Sequence, residues 1–133
     1  RRKSIVIDAA KDILPYISED TYAVVIDEIQ FLDHELISLS EHLANIGIRV
    51  ILGGLDSDFR GEPFAVTAEM MARAEFVTKL TAICVRCGSP ATKTQRIVNG
   101  KPAHYLDPIV VVGAAEAYEP RCRHCHEVLG KAK

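Results

Sequence analysis

Apolar positions along this chain fall into distinct textures. Tyr22 to Ile26 and Ile48 to Leu52 are continuous β-branched runs without alternation, which predicts strands buried on both faces, as in a parallel sheet. Between them Leu36, Ile37, Leu39 and Leu43 recur near helical spacing. Asp33 is the N-cap candidate, Asn45 the approximate end, and Gly47 is placed to stop the helix. Strand, helix and strand within this span predict a right-handed, parallel βαβ unit. Gly53-Gly54 and the loop Asp56 to Pro63 follow at the carboxyl end of the second strand, where open α/β sheets place their ligands.

On either side the pattern is weaker. Ser4 to Ile7 is a short β-rich run, and Asp8 is expected to cap a brief helix through Ala9, Ala10, Ile13 and Leu14, which Pro15 disrupts. Thr67 to Glu75 predicts a helix with Thr67 as cap and Met70 and Met71 on or near its buried face; Phe76 to Ile83 is strand-like. From Cys84 the texture changes. Thr92 to Val98 alternates, Asn99-Gly100 signals a tight turn, and Ile109 to Val112 is again apolar and β-branched. The expected fold class is α/β, a parallel sheet carrying a small C-terminal β ribbon. The boundary is placed near Cys84, dividing residues 1–83 from 84–133.

Composition narrows the function classes. With 133 residues, 48% hydrophobic, 26% charged and a net charge of −2, the chain reads as one globular domain or one domain with an appended module. No long basic block marks a polyanion as main partner. No apolar run approaches the roughly 20 residues of a membrane span, and no basic-then-apolar leader is present. The start at Arg1-Arg2-Lys3, without methionine, predicts further chain upstream.

The four cysteines form two Cys-x-x-Cys pairs, Cys84/Cys87 and Cys122/Cys125. Without a secretory leader, this spacing favours zinc thiolates in a reducing cytoplasm over disulfides. Four thiolates close a tetrahedron with no open position, so the expected zinc is structural. His124 and His126 are alternative ligands, and Arg86, Arg121 and Arg123 are placed to offset the charge of the centre.

The second chemical signal is Asp27-Glu28, paired carboxylates at the end of an apolar strand. A Walker B strand ends this way, with the Asp on Mg²⁺ and the Glu poised as a base; a strand meeting a solvated turn ends this way too. No Gly-x-x-x-x-Gly-Lys-Ser/Thr string occurs in the chain. Arg60, at the binding end of the sheet, is a candidate to counter phosphate charge or to form a surface salt bridge. His34, His42 and His104 are expected at the surface, and Met70 and Met71 in the core.

Longer strings carry a resemblance. Asp27-Glu28-Ile29-Gln30-Phe31, Gly54-Leu55-Asp56-Ser57-Asp58-Phe59-Arg60-Gly61-Glu62-Pro63-Phe64 and Thr78-Lys79-Leu80-Thr81-Ala82 occur in order. They are followed by Thr94-Gln95-Arg96, Asp107-Pro108-Ile109, Val112-Gly113 and Tyr118-Glu119-Pro120-Arg121, ending on both cysteine pairs. Together they resemble the type II thymidine kinases, most closely the bacterial form. The resemblance implies a P-loop NTPase-like parallel sheet, incomplete here, with a zinc-ribbon and lasso subdomain. It implies Glu28 as proton acceptor from the nucleoside 5′-hydroxyl, and Asp27, Glu28, Ile29 and Gln30 along Mg²⁺ and the ATP phosphates. Nucleoside contacts would come from Leu55, Phe59, Phe64, Thr94, Ile109, Val110, Val111, Val112, Gly113 and Tyr118, and zinc ligands from Cys84, Cys87, Cys122 and Cys125. It further implies thymidine and ATP as substrates, thymidine triphosphate (dTTP) as feedback inhibitor, a homotetramer, a cytoplasmic setting and a role in nucleotide salvage for DNA synthesis. The family's phosphate-binding loop is expected upstream of Arg1, so this chain alone is expected not to turn over.

A second function class stays open: a zinc-ribbon binding module, on nucleic acid, without catalysis. Lys93, Arg96 and Lys101 are its basic residues, balanced by Asp107 and Glu116.

Overall fold

The computed structural model describes residues 3–110 and 116–133. They form two compact units. The first joins the chain up to Asp56 with Phe64–Glu75; the second joins Ser57–Pro63 with the chain from Phe76 onward. The chain therefore passes between units at residues 56/57, 63/64 and 75/76, whereas the sequence suggested one boundary near Cys84.

The first unit is built on the βαβ unit. Strands β1 (Ala23–Ile26) and β2 (Arg49–Leu52) pair in parallel, Ala23 opposite Arg49 and Ile26 opposite Leu52. Helix α1 (Glu35–Asn45) connects them, and α2 (Ala65–Arg73) follows. A 3₁₀ helix, Ala10–Tyr16, precedes β1. Ala10, Ile13, Ile26, Ile29, Leu36, Val66 and Met70 form the core, with Val24, Leu52, Ile37 and Leu39 packed on it. Val25 (71% exposed) and Ile51 (45%) point away from that core. The sheet is thus covered on one face, where the unbroken apolar runs predicted burial on both. With two strands and all the packed helical residues on the Val24–Ile26 side, the alternate residues of each strand have no partner layer among the described residues.

Helix α1 ends as its sequence predicts. Gly47 adopts φ +91°, its N–H bonds to the Ala44 carbonyl (3.0 Å), and the Ile48 N–H reaches back to Leu43 (2.9 Å). This is a Schellman ending, which satisfies carbonyls the helix leaves open. The predicted N-caps are used differently. Asp33 accepts the Ala10 N–H (2.8 Å), joining the 3₁₀ helix to the start of α1, and His34 occupies the cap position. Asp8 does not cap the 3₁₀ helix; the Asp12 carboxylate does, accepting from Ala9 (3.0 Å) and Asp8 (3.2 Å). Thr67 lies inside α2, buried, with its hydroxyl unpartnered, and Phe64 holds the cap position. Ser4 to Ile7 forms no strand.

The second unit is a set of short antiparallel strands. β3 (Ala82–Ile83) pairs with β4 (Pro90–Ala91), and β5 (Lys93–Val98) lies between β6 (Lys101–Pro102) and β7 (Glu116–Arg121). Val98 faces Lys101, so Asn99-Gly100 is a two-residue hairpin turn, and both residues have positive φ (50° and 77°). That is the conformation for which Asn-Gly is selected. The predicted strand Phe76 to Ile83 shrinks to its last two residues; Phe76 (94% exposed) and Leu80 (84%) are left uncovered by the described residues. Ile109 and Val110 lie outside any strand. Val111, Val112 and Gly113 fall outside the described residues. Among the described residues, no helix is long and apolar enough to cross a membrane.

Two outcomes follow from these ends. A Cβ at Gly47 meets nothing within 4 Å, so Gly47→Ala should lower stability by about 1 kcal/mol through backbone conformation alone, read by thermal unfolding. Backbone N–H donors from Ala9 and Asp8 hold the Asp12 carboxyl below its ordinary 3.8. The stabilisation is therefore present above that value and lost as pH falls through the lower folded one. Asp12→Ala at neutral pH should loosen the 3₁₀ helix as strong acid does, seen in the Asp8 and Ala9 amide resonances.

Candidate functional site

In the first unit the acidic pair sits where the parallel strands end. The Gly53 N–H bonds to Ile26 (2.8 Å) and the Ile29 N–H to Gly53 (3.1 Å), carrying the pairing of β1 and β2 into the turn. This close approach requires glycine. A Cβ on Gly53 would lie 3.0 Å from Asp27 Oδ1, and one on Gly54 only 2.7 Å from Gln30 Oε1 and 2.8 Å from Ile29 Cγ1. Glu28 follows the strand in the left-handed region, φ 56°, uncommon for a residue with a side chain and typical of functional turns. Asp27 Oδ1 accepts the Glu28 N–H (2.9 Å). Buried Gln30 then bridges: its Nε2 donates to Glu28 Oε2 (2.5 Å) and its Oε1 accepts the Leu55 N–H (3.0 Å).

Both carboxylates are exposed and adjacent, while the two residues predicted beside them do other work. Ile29 is 3% exposed, part of the core, and Gln30 spends its amide orienting Glu28 and the chain at Leu55. Leu55 is half exposed, and the Phe64 ring packs edge-on against Phe31 at 6.4 Å.

In the second unit the segment Ser57–Pro63 is a compact turn organised by Asp58, which is 6% exposed. Asp58 Oδ1 accepts the N–H groups of Arg60 (2.8 Å) and Glu62 (3.1 Å), and its Oδ2 receives a two-pronged bond from the Arg60 guanidinium (3.0 and 2.8 Å). The Asp58 carboxylate raises the affinity of Arg60 for its proton. Arg60 is therefore committed to Asp58 rather than left as a free phosphate clamp. His126 and Lys131 hold the turn: His126 Nε2 bonds to the Phe59 carbonyl (2.8 Å), and Lys131 Nζ to the Arg60 carbonyl (2.7 Å) and Glu62 (2.6 Å). Burial pushes the His126 pKa down, against its bonds to Phe59 and Thr94 and together with Lys93 and Lys131. The Phe59 carbonyl can only accept, so Nε2 carries a proton and donates it.

Phe59 itself is 3% exposed. One ring face lies under the Arg96 guanidinium, 3.9 Å from the centroid. Thr94, half-buried on β5, faces Pro120 on β7, and Tyr118, 50% exposed, faces Arg96. Sequence reasoning had no signal for Asp58, Arg96, His126 or Lys131 as organising residues. Only the Asp-x-Arg spacing at Asp58 is legible locally, as the kind of turn an Asp side chain closes.

The four cysteine sulfurs lie within 4.8 Å of one another, Cys87 and Cys122 at 3.6 Å. A tetrahedral zinc with Zn–S of about 2.3 Å needs sulfurs about 3.8 Å apart, so the donor set could hold that ion. Each pair is a tight turn: Gly88 N–H to Cys84 (2.9 Å), with Gly88 at φ 75°, and His126 N–H to Cys122 (3.0 Å). Neither histidine joins the cluster; His126 is engaged by Phe59 and His124 is exposed. Arg86 pairs with Glu127 (2.8 Å), and Arg121 with Glu119 and the Cys125 carbonyl.

Crowded thiols share protons unequally. Burial opposes charge on Cys84, but backbone donors at Cys122, Cys87 and Arg86 bring it down to about 6. Hydrogen bonds to Cys122 and Cys87, with burial, push Cys125 up to about 12. A divalent cation replaces those shared protons. Zinc loading near pH 7 should therefore release protons, including that of Cys125, and give one ion per chain. Calorimetry in buffers of different ionisation enthalpy, with metal analysis, checks this. Chelation should raise amide exchange across β3–β7 and leave α1 protected, since the first unit has its own apolar core; Cys125→Ser should weaken metal retention.

A parallel βαβ unit whose first strand runs into Asp27-Glu28, a glycine-closed turn beside that pair, and a four-cysteine ribbon are the parts on which a known family can be compared. The family model described as thymidine kinase matches residues 1–126. This chain belongs to the thymidine kinase family.

Proposed function

We propose that the protein containing this chain transfers the γ-phosphate of ATP to the 5′-hydroxyl of thymidine, giving thymidylate. The observation that carries this reading is Glu28. Its carboxylate is exposed at the carboxyl end of β1, set in a left-handed turn beside Asp27 and held through Gln30. A fixed, exposed carboxylate at that place suits a base for a hydroxyl nucleophile. In the proposed reaction Glu28 takes the 5′-hydroxyl proton, the freed oxygen forms its bond to the γ-phosphorus, and the bond to the bridging oxygen breaks with ADP as leaving group. Asp27 is the residue to hold Mg²⁺, which when bound with ATP neutralises charge on the β- and γ-phosphates.

By the family resemblance, nucleoside contacts are assigned to Leu55, Phe64, Thr94, Ile109, Val110 and Tyr118, with Phe59 as buried support. Val111, Val112 and Gly113 share that assignment by resemblance alone. The zinc is structural, joining Cys84–Cys87 to Cys122–Cys125 and so shortening the free chain between them.

The charge distribution weighs against a nucleic-acid module. Arg96 is 1% exposed and Arg121 6%, while Arg60 and Arg86 are paired with carboxylates. Four of the second unit's five arginines are thus buried or paired, where a phosphate-binding face needs them outward.

Glu28→Gln in the full-length protein should lower kcat for thymidine by about 10²–10⁴-fold, the scale of a general base, with thymidine affinity within about threefold. A steady-state assay with a parallel binding titration decides; unchanged turnover removes Glu28 from the role. Steeply salt-dependent DNA binding, without thymidine binding, would support the module instead.

A further inference from the structure

Resting on the nucleoside reading above, we propose that Arg96 is a positioning residue for base recognition: its buried guanidinium presets Phe59, Ile109 and Tyr118 before the nucleoside arrives. Arg96 is the largest fully buried side chain among the described residues. Its three nitrogens have three separate partners. Nε donates to the Tyr118 hydroxyl (3.0 Å), one terminal nitrogen to the Pro108 carbonyl (2.5 Å), and the other to the Ile109 carbonyl. The carbon of the same group lies 3.9 Å over Phe59 and 5.4 Å from the Tyr118 ring centroid. Glu116 Oε2, itself buried without a hydrogen bond, stands 3.7 Å from Nε and supplies the counter-charge.

A cation this deep is retained only where geometry satisfies it, since desolvation opposes it. The planar fork explains the choice of residue. One rigid group reaches two consecutive carbonyls and a hydroxyl while presenting a face to an aromatic ring, which a lysine ammonium cannot do. The partners come from three stretches of chain, at Phe59, at Pro108-Ile109 and at Glu116–Tyr118. Arg96 faces their inner sides, while Tyr118 is left 50% exposed and Ile109 half exposed. The arrangement backs a recognition surface and leaves its outer side open, so the ordering entropy of those groups is met before binding.

The test uses the full-length protein with thymidine as probe. Arg96→Lys should raise the thymidine KM about tenfold, the scale of one to two lost charge-assisted hydrogen bonds, with kcat within about twofold and zinc content unchanged. Amide exchange across residues 105–110 and 116–121 should rise in the same variant. If the unsubstituted protein uses thymidine and Arg96→Lys leaves KM unchanged, the positioning role is overturned, whatever happens to exchange. If the unsubstituted protein neither binds nor phosphorylates thymidine, the proposed function itself fails, and unchanged exchange would then remove the clamp as well. Should Arg96→Lys lose its zinc or its fold, Tyr118→Phe decides. It keeps the ring and removes only the hydroxyl that accepts from Nε; a KM rise of about threefold supports the clamp, and no rise overturns it.

Discussion

The second unit depends on four sulfur atoms meeting in a volume one ion can fill. Among the described residues its apolar cluster is Cys84, Ala91 and Cys122 with Cys125 beside them, and Phe59 and Ala103 are buried apart from it, little hydrophobic burial for a unit of this size. What substitutes for a core is polar and specific: the thiols within 4.8 Å of one another, the Arg96 fork, the Asp58 turn and the Gln95 amide, which bonds to Glu127 in both directions (2.8 Å each). A structure of this kind gains order from exact partnering and tolerates little approximation.

The first unit solves the opposite problem. It has a continuous apolar core, and its chemistry is placed at the rim of that core rather than inside it. Ile26 and Ile29 are buried on either side of Asp27 and Glu28, so the strand and the turn after it are held while the two carboxylates face solvent. The left-handed Glu28 and the two close glycines follow from that constraint: a chain that must bury residues 26 and 29 yet expose 27 and 28 has to turn sharply. Gln30 completes the arrangement by converting a buried amide into a positioning bond. In each unit, then, a buried polar side chain stands directly behind the residues assigned to function.

Local signals were readable where the physics is local. The βαβ unit followed from unbroken apolar runs about a helical repeat, the end of α1 from Gly47, and the hairpin from Asn99-Gly100. Caps failed for a physical reason. Asp33, Asp8 and Thr67 each have the side chain a cap requires, but Thr67 is buried inside α2 with its hydroxyl unpartnered, and a carboxylate can bond to a donor the fold brings from elsewhere. For Asp33 that donor is Ala10, 23 positions away. The strand expected over Phe76 to Ile83 failed likewise, because β-propensity expresses itself only where a neighbour offers pairing and burial.

By itself, the sequence determined the family, the βαβ order, the acidic pair at a strand end and the set of four thiols that could hold a metal ion. Each of these is written in residue type and spacing, which survive without knowledge of distant contacts. Tertiary structure alone decided that Ser57–Pro63 belongs with the ribbon, that Arg60 is committed to Asp58, that Phe59 is interior, and that Arg96 is not a surface charge. Whether a charged side chain is solvated or buried is settled by partners beyond its own strand, here Pro108, Ile109 and Tyr118, 12 to 22 positions from Arg96, and no local pattern encodes them. The free energy of burying a cation depends on the sum of those contacts, so only the folded chain can choose it.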